Sequence, residues 1–324
     1  EDARTNFVIP NARIENAEIE RPASLEATGT GADDPLAKRI ERLSAKRISI
    51  PEMTVSYAMR TRQQKVVYTN AILSNVAHGK IADYSIDKVN ADATREVKDH
   101  TGAAQTKRLL TSTGEIKGKD VDVAYIVRLN TETAGPDDKE PKQVFGPLSI
   151  SKVSTSDHDG QVTYDELRSS GLSARMPAEP LAQTLASITE VADIDDLTTE
   201  QRQAYFKRVL SIFDIIGESD IQFLGLKMED LDKGQDSTEG RTTITIDRTD
   251  MRIEGYKTDF GFHGLSILKG QDRVSMAEAS IVGFDWTLPA KGLTQAAALE
   301  VDELATFPYR QFLPSFERFR ISGL

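Results

Sequence analysis

From Arg47 onward, apolar residues recur at every second position. Ile48 and Ile50, then Val55, Tyr57 and Met59, alternate with polar side chains, the period of a strand with one covered face. Pro51 interrupts the alternation, as expected of a sheet edge or bulge. Further strands are predicted over Val66–Ile72, Lys80–Val89, Val121–Leu129, Val144–Val153 and Gln161–Leu172, and over Asp220–Leu226, Arg241–Asp247, Met251–Tyr256, Phe260–Leu268 and Ser275–Leu288. Phe7–Ile19 is the first strand candidate. Asp92–Leu110 is polar and undecided, with helix as one option.

A few segments carry the helical period instead. Asp34-Pro35 opens a short helix with Leu36, Ile40 and Leu43 on one face. Ala178–Leu197 is predicted as a helix and linker. Thr198, with Gln201 three residues on, has capping-box spacing. Tyr205, Val209, Ile212, Phe213 and Ile216 form the stripe that follows, and Gly217 marks its stop. Gln295–Ala305 is a last short helix, and Phe307–Leu324 a mixed turn and closing strand. Helices that do not alternate with strands predict an α+β, strand-dominated fold: an elongated, curved antiparallel sheet with a few amphipathic packing helices. The division expected is a β-repeat region over 1–177, with its short helix at 34–45, then a helix pair (178–217) and a second β-repeat region to 324. One continuous sheet is the other option.

Three nine-residue words resemble one another: Tyr68–Val76 (YTNAILSNV), Tyr164–Leu172 (YDELRSSGL) and Phe316–Leu324 (FERFRISGL). Each opens on an aromatic ring, has Ser seventh, and closes with Asn or Gly and a branched aliphatic. Ser85–Val89 and Ser149–Val153 form a second pair. Such recurrence points to a repeated strand scaffold. These words, with the aromatic-x-x-φ-x-φ-x-Gly-Leu pattern they share, resemble the strand repeats of bacterial envelope proteins of the AsmA-like and related periplasmic families. The resemblance covers about a third of the chain and transfers no active residues. It implies a curved antiparallel sheet in the periplasm of a Gram-negative bacterium, with a hydrophobic groove for lipid.

Composition narrows the classes. The 324 residues are 39% hydrophobic and 28% charged, a polar balance that suits a thin fold with much surface. A formal net charge of -11 argues against nucleic-acid binding, which needs a basic face. There is no cysteine, so disulfides and thiolate chemistry are excluded. The first residue is Glu1; a removed signal peptide, an excised piece and a membrane anchor outside the given chain are all open.

Candidate chemistry is sparse, and no P-loop, Rossmann or G-x-S-x-G pattern occurs. Thr155–Glu166 has EF-hand-like spacing, with Asp157, Asp159, Gln161, Thr163 and Glu166 as candidate calcium ligands. Thr155 stands where that loop needs Asp, and strands flank it, so a hairpin turning at Asp159-Gly160 is the competing reading. His78 and His158 fall in predicted turns, His263 in a strand; His100 completes the set. Trp286, Phe307, Tyr309, Phe312, Phe316 and Phe319, interleaved with Arg310, Arg318 and Arg320, are candidates for an apolar groove or a dense core. The function expected is non-enzymatic, with no cofactor: binding of a hydrophobic, lipid-like ligand or an envelope protein along a sheet groove. The alternative is a calcium-binding structural module.

Overall fold

The structure, a computed structural model, describes residues 4–20, 35–59, 62–98, 104–191, 194, 197–230, 242–299 and 307–323. The chain opens with β1 (Arg4–Val8), β2 (Arg13–Glu15), β3 (Glu18–Ile19), helix α1 (Leu36–Glu41), β4 (Leu43–Met59), β5 (Arg62–Ala77) and β6 (Lys80–Lys98). It continues through β7 (Ala104–Thr113), β8 (Ile116–Asp122), α2 (Val123–Thr131), β9 (Lys142–Phe145), β10 (Leu148–Ser156) and β11 (Gly160–Ala174). Helices α3 (Leu181–Thr189) and α4 (Thr199–Ile215) lead to β12 (Ile216–Asp230), β13 (Thr242–Glu254), β14 (Lys257–Lys269) and β15 (Asp272–Asp285). Helix α5 (Thr287–Ala296), a 3-10 turn at Tyr309–Phe312 and β16 (Arg318–Ser322) close it.

The described strands form one sixteen-stranded sheet, antiparallel throughout, whose main path is β1-β4-β5-β6-β7-β10-β11-β12-β13-β14-β15-β16. The strand-dominated α+β expectation holds. The sheet runs unbroken past Ala178, because β11 pairs along its length with β12.

Ten residues within or beside these strands take positive φ, and they fall on two lines across the sheet. Asn70, Lys152, Gly225, Gly264 and Gly323 mark one line; Asn16, Asn75, Asp120, Gly171 and Gly283 mark the other. The remaining positive-φ residues among those described, His78, Gly79, Gly255 and Gly270, sit in hairpin turns. The alignment follows from register. Lys152 lies opposite Asp165, between the pairs Ser151↔Glu166 and Val153↔Tyr164. Asp165 in turn faces Gly225, which faces Asp247, which faces Gly264. A Cβ on Gly225 would run into the Asp165 carboxylate, and one on Gly264 into that of Asp247. On the second line the Gly283 amide donates to Asp259 Oδ1 at 2.7 Å. Aligned kinks of this kind bend a sheet along a line without breaking its pairing.

The repeated words are the sequence trace of these kinks. Their eighth residues, Asn75, Gly171 and Gly323, are all left-handed. Before a kink, apolar residues are two apart; across it they are three apart, as at Tyr68-x-x-Ala71, Tyr164-x-x-Leu167 and Leu73-x-x-Val76.

Several sequence expectations are corrected. Val121–Leu129 is not a strand: β8 stops at Asp122, whose side chain accepts the Tyr125 amide at 2.8 Å and caps α2. The run of Val and Tyr fits either period, and burial of Ala124, Tyr125 and Leu129 on one helix face decides it. Asp92–Leu110 is strand, not helix, wherever it is described. The last helix begins at Thr287, earlier than expected; 300–305 lie outside the described residues, as do Asp34, His100 and the loop over 27–33. Gly217 does not end α4. The helix stops at Ile215 and runs straight into β12, and Gly217 serves the close approach of Ser173 and Pro141.

The core is small and lies at one end of the strands. Tyr125, Leu129, Val144, Ala174, Met176 and Ile215 are buried together, joined by Phe145, Leu172 and Leu181. The Tyr125 hydroxyl donates to the Ala174 carbonyl at 2.8 Å, so α2 is held to the end of β11. Helix α4 carries the expected capping box: the Gln201 amide donates to Thr198 Oγ1 at 3.3 Å and the Thr198 amide to Gln201 Oε1 at 2.9 Å. Thr198→Ala is expected to cost about 1 kcal/mol in urea unfolding, and Thr198→Ser to cost almost nothing.

Tyr256, in the β13–β14 turn, docks α4 through a 3.2 Å bond to the Leu210 carbonyl and a stack on Phe213. Burial, with Asp214 beside it, pushes its hydroxyl up to about 12. An unfolded tyrosine ionises near pH ~10, so the native state keeps this proton longer. Stability is therefore expected to fall as pH rises from ~10 to about 12. Tyr256→Phe should flatten that part of a melting-temperature profile.

Candidate functional site: an apolar sheet face

Residues directly opposite in an antiparallel pair point to the same side. That rule assembles two apolar rows between the kink lines. The first is Ile14–Ile48–Leu73–Tyr84–Gly118–Leu148–Ser169–Ile221–Met251–Phe260–Ile281–Phe319. The second is Ile50–Ala71–Ile86–Ile116–Ile150–Leu167–Phe223–Thr249–Phe262–Ala279–Ile321. The row between them faces the other way. It reads Arg13–Ser49–Ile72–Ser85–Lys117–Ser149–Arg168–Gln222–Asp250–Gly261–Ser280–Arg320. One face is thus largely apolar across the sheet, with Gly118, Ser169 and Thr249 as its exceptions, and the row on the other face is polar with a single aliphatic, Ile72.

The apolar face continues past the first kink line. A further row runs Phe7–Val55–Val66–Ala91–Thr111–Thr155–Val162–Met228–Ile244–Ile267–Val274. The Tyr164 ring, beside Val162 on β11, meets the Phe223 ring at 5.2 Å. Tyr164 and Leu167 are three apart and would face opposite ways in a regular strand; the kink turns them to one side. Twelve strands at about 4.8 Å make this face about 50 Å long, and the strip between the kink lines is about 16 Å wide. Most of its interior residues are half-buried, flanked by neighbours in the same row; Phe260 is exposed. A cavity of about 550 Å³ opens on this face beside the β10–β11 turn, over Leu109, Val162, Met228 and Ile244.

The polar face has its own depression, about 530 Å³, around Ser85, Lys117, Lys119, Ser149 and Arg168. Its cations are compensated: Lys117 by Glu115 at 2.7 Å, Lys119 by Asp83 at 3.9 Å, and Arg168 by Glu166 at 2.6 Å. The Arg168 bond, opposed by some burial, holds the Glu166 carboxyl below its usual range.

The residues singled out from sequence are dispersed. The calcium-like segment folds as a hairpin in which Asp157 Oδ1 accepts the amides of Asp159 and Gly160. Asp159 pairs with Lys107 at 3.0 Å and His158 at 2.6 Å. Gln161 donates to Ser154. Thr163 lies opposite Ser154 and Lys227. Glu166, held by Arg168, is five positions from Gln161, about 17 Å along the strand. Among the described residues, no three His, Asp or Glu side chains gather as a metal site. His78 and His158 occupy turns. His263 in β14 contacts Asp250 at 3.1 Å and Arg248 at 2.9 Å on the polar face.

The aromatic candidates divide. Phe319 is the last member of the first apolar row. Phe307 is buried and packs on Phe312 at 5.1 Å. Trp286 stands edge-on to Phe284 at 4.6 Å, and Tyr309 and Phe316 are exposed. The central members of the apolar face, among them Ile116, Ile150, Leu167, Phe223 and Phe262, were not singled out. For Ile150 and Leu167 the signal was their place in the repeated words; for the others it was the alternation of their own strands. No helix among the described residues is long and apolar enough to cross a membrane. Models of protein families, curated proteins and solved structures yield no match to this chain.

Proposed function

We propose that this is a non-enzymatic cell-envelope protein that holds a lipid-like hydrophobic ligand against the apolar face of its sheet. The observation that supports the reading is the pair of largely apolar rows that run from Ile14 and Ile50 to Phe319 and Ile321, broken only by Gly118, Ser169 and Thr249, with a polar row between them on the opposite face. Exposed apolar surface of this extent marks a binding surface in a chain that is otherwise charged. A bound acyl chain would need no directional partner, and the face offers almost none. The envelope location rests on the resemblance of the repeated words to AsmA-like strand repeats.

The test is a photo-crosslinking side chain at position 150, on the apolar face, and at position 149, on the polar one. Adducts in the lipid mass range at 150 and none at 149 support the reading. A protein adduct at 150 would replace the lipid with an envelope partner. Absence of any adduct, with no lipid in native mass spectra, would remove it.

A further inference from the structure

We propose that the C-terminal edge of the sheet docks onto the surface of a bilayer that carries anionic lipid, placing the end of the apolar face at the headgroups. The inference rests on the lipid-binding reading for its purpose, but its observations are separate. Trp286, Leu288, Tyr309, Leu313, Phe316 and Phe319 are all exposed, Tyr309 to 69% and Trp286 to 45%. They share one edge. Ser315 bridges to Asp285, next to Trp286, with the Asp285 amide donating to the Ser315 carbonyl at 2.8 Å. The 3-10 turn carrying Tyr309 lies against α5, where a Cβ on Gly292 would meet the Gln311 carbonyl at 2.7 Å. Phe319 pairs with Ile281 on β15.

Row ends lack an outer neighbour, which accounts for the exposure of Phe319 and Ile321. It does not account for Trp286, Leu288, Tyr309 or Leu313, which lie outside the rows. The charge of the segment 307–323 also runs against the rest of the chain. Residues 307–323 hold Arg310, Arg318 and Arg320 against Glu317 alone, in a protein of net charge -11. (Glu300, Asp302 and Glu303 precede this stretch, outside the described residues.) Arg320 leans toward Glu278 at 3.6 Å and stays largely exposed.

This is the chemistry of a membrane interface. Trp and Tyr rings sit at headgroup level, Phe and Leu enter the acyl boundary, and arginines gain from an anionic surface. A second copy of the chain fits less well. A two-fold contact would set the same arginines against each other.

Trp286 is the only tryptophan, so its emission reports on the site. With vesicles of phosphatidylcholine containing phosphatidylglycerol, the full chain is expected to co-sediment and its emission to shift to the blue. With phosphatidylcholine alone, binding should weaken. Arg310→Glu combined with Arg318→Glu should lower affinity for the anionic vesicles more than tenfold, at about fivefold per charge, with the melting temperature and copurified lipid unchanged. Unshifted emission without sedimentation, or binding indifferent to the double variant, overturns the proposal. Self-association in ultracentrifugation that the same variant abolishes also overturns it, in favour of a second copy. Vesicle binding without any copurified lipid leaves docking intact and removes the ligand reading instead.

Discussion

Leu167→Asp is expected to release most of the copurified lipid, with binding of an added fatty acid falling more than tenfold. Leu167 sits mid-row, with Ile150 on one side and Phe223 on the other. A carboxylate there must either shed its water beneath an acyl chain or keep that chain away, and shedding it costs several kcal/mol. Ser149→Asp is the matched control. It adds the same charge one strand away on the polar face, opposite Lys117 and Arg168, where water and cations receive it. Mass spectrometry of extracted lipid and a melting curve for each variant give the comparison. Leu167 is only half-buried, so the fold should survive at a cost of about 1–3 kcal/mol. Equal lipid content in the two variants would remove the apolar face as the binding surface.

Gly264→Val tests the kink lines. Gly264 has φ +68, and a Cβ there runs into the Asp247 carboxylate. A β-branched side chain in the left-handed region costs about 1–2 kcal/mol from backbone sterics, and displacement of Asp247 adds to it. A total of about 2–4 kcal/mol in urea unfolding is expected. Gly255→Ala separates the two terms. Gly255 has φ +55 with nothing within 4 Å of its Cβ position, so only the backbone term, about 1 kcal/mol, should appear. Gly264→Asn with Asp247→Ala should recover much of the loss, because Asn tolerates this conformation and the obstructing carboxylate is gone. If Gly264→Val melts with the wild type, the kink at this line is not what the strand requires.

The strand scaffold was legible because period two is a local property. Val66–Ile72, Gln161–Leu172 and Phe260–Leu268 all lie within observed strands, each with one apolar face. Helix α4 was legible for the same reason, through the reciprocal bonds of Thr198 and Gln201. Val121–Leu129 was not, because its apolar spacing satisfies both periods and only the Asp122 cap and the packing of Tyr125 against Ala174 choose between them. Phe307 and Phe312 looked equivalent to Tyr309 and Phe316 in sequence. Phe307 is buried and packs on Phe312, whereas Tyr309 and Phe316 are exposed, a difference set by how the 3-10 turn lies against α5 and not by any local cue.

By itself the sequence determined that the chain is a strand-rich, cysteine-free, acidic protein, and that a nine-residue word recurs with Asn or Gly in its eighth place. Its local spacing also set where each strand would shift its apolar residues from two apart to three. Only the tertiary structure decided that these shifts coincide. Register between strands distant in sequence aligns Lys152, Gly225, Gly264 and Gly323 on one line and Asn75, Asp120, Gly171 and Gly283 on another. A kink in a lone strand would only turn its own side chains. Hydrogen bonding carries each kink to the neighbouring strand, and that coupling turns scattered φ-x-x-φ spacings into a single apolar face.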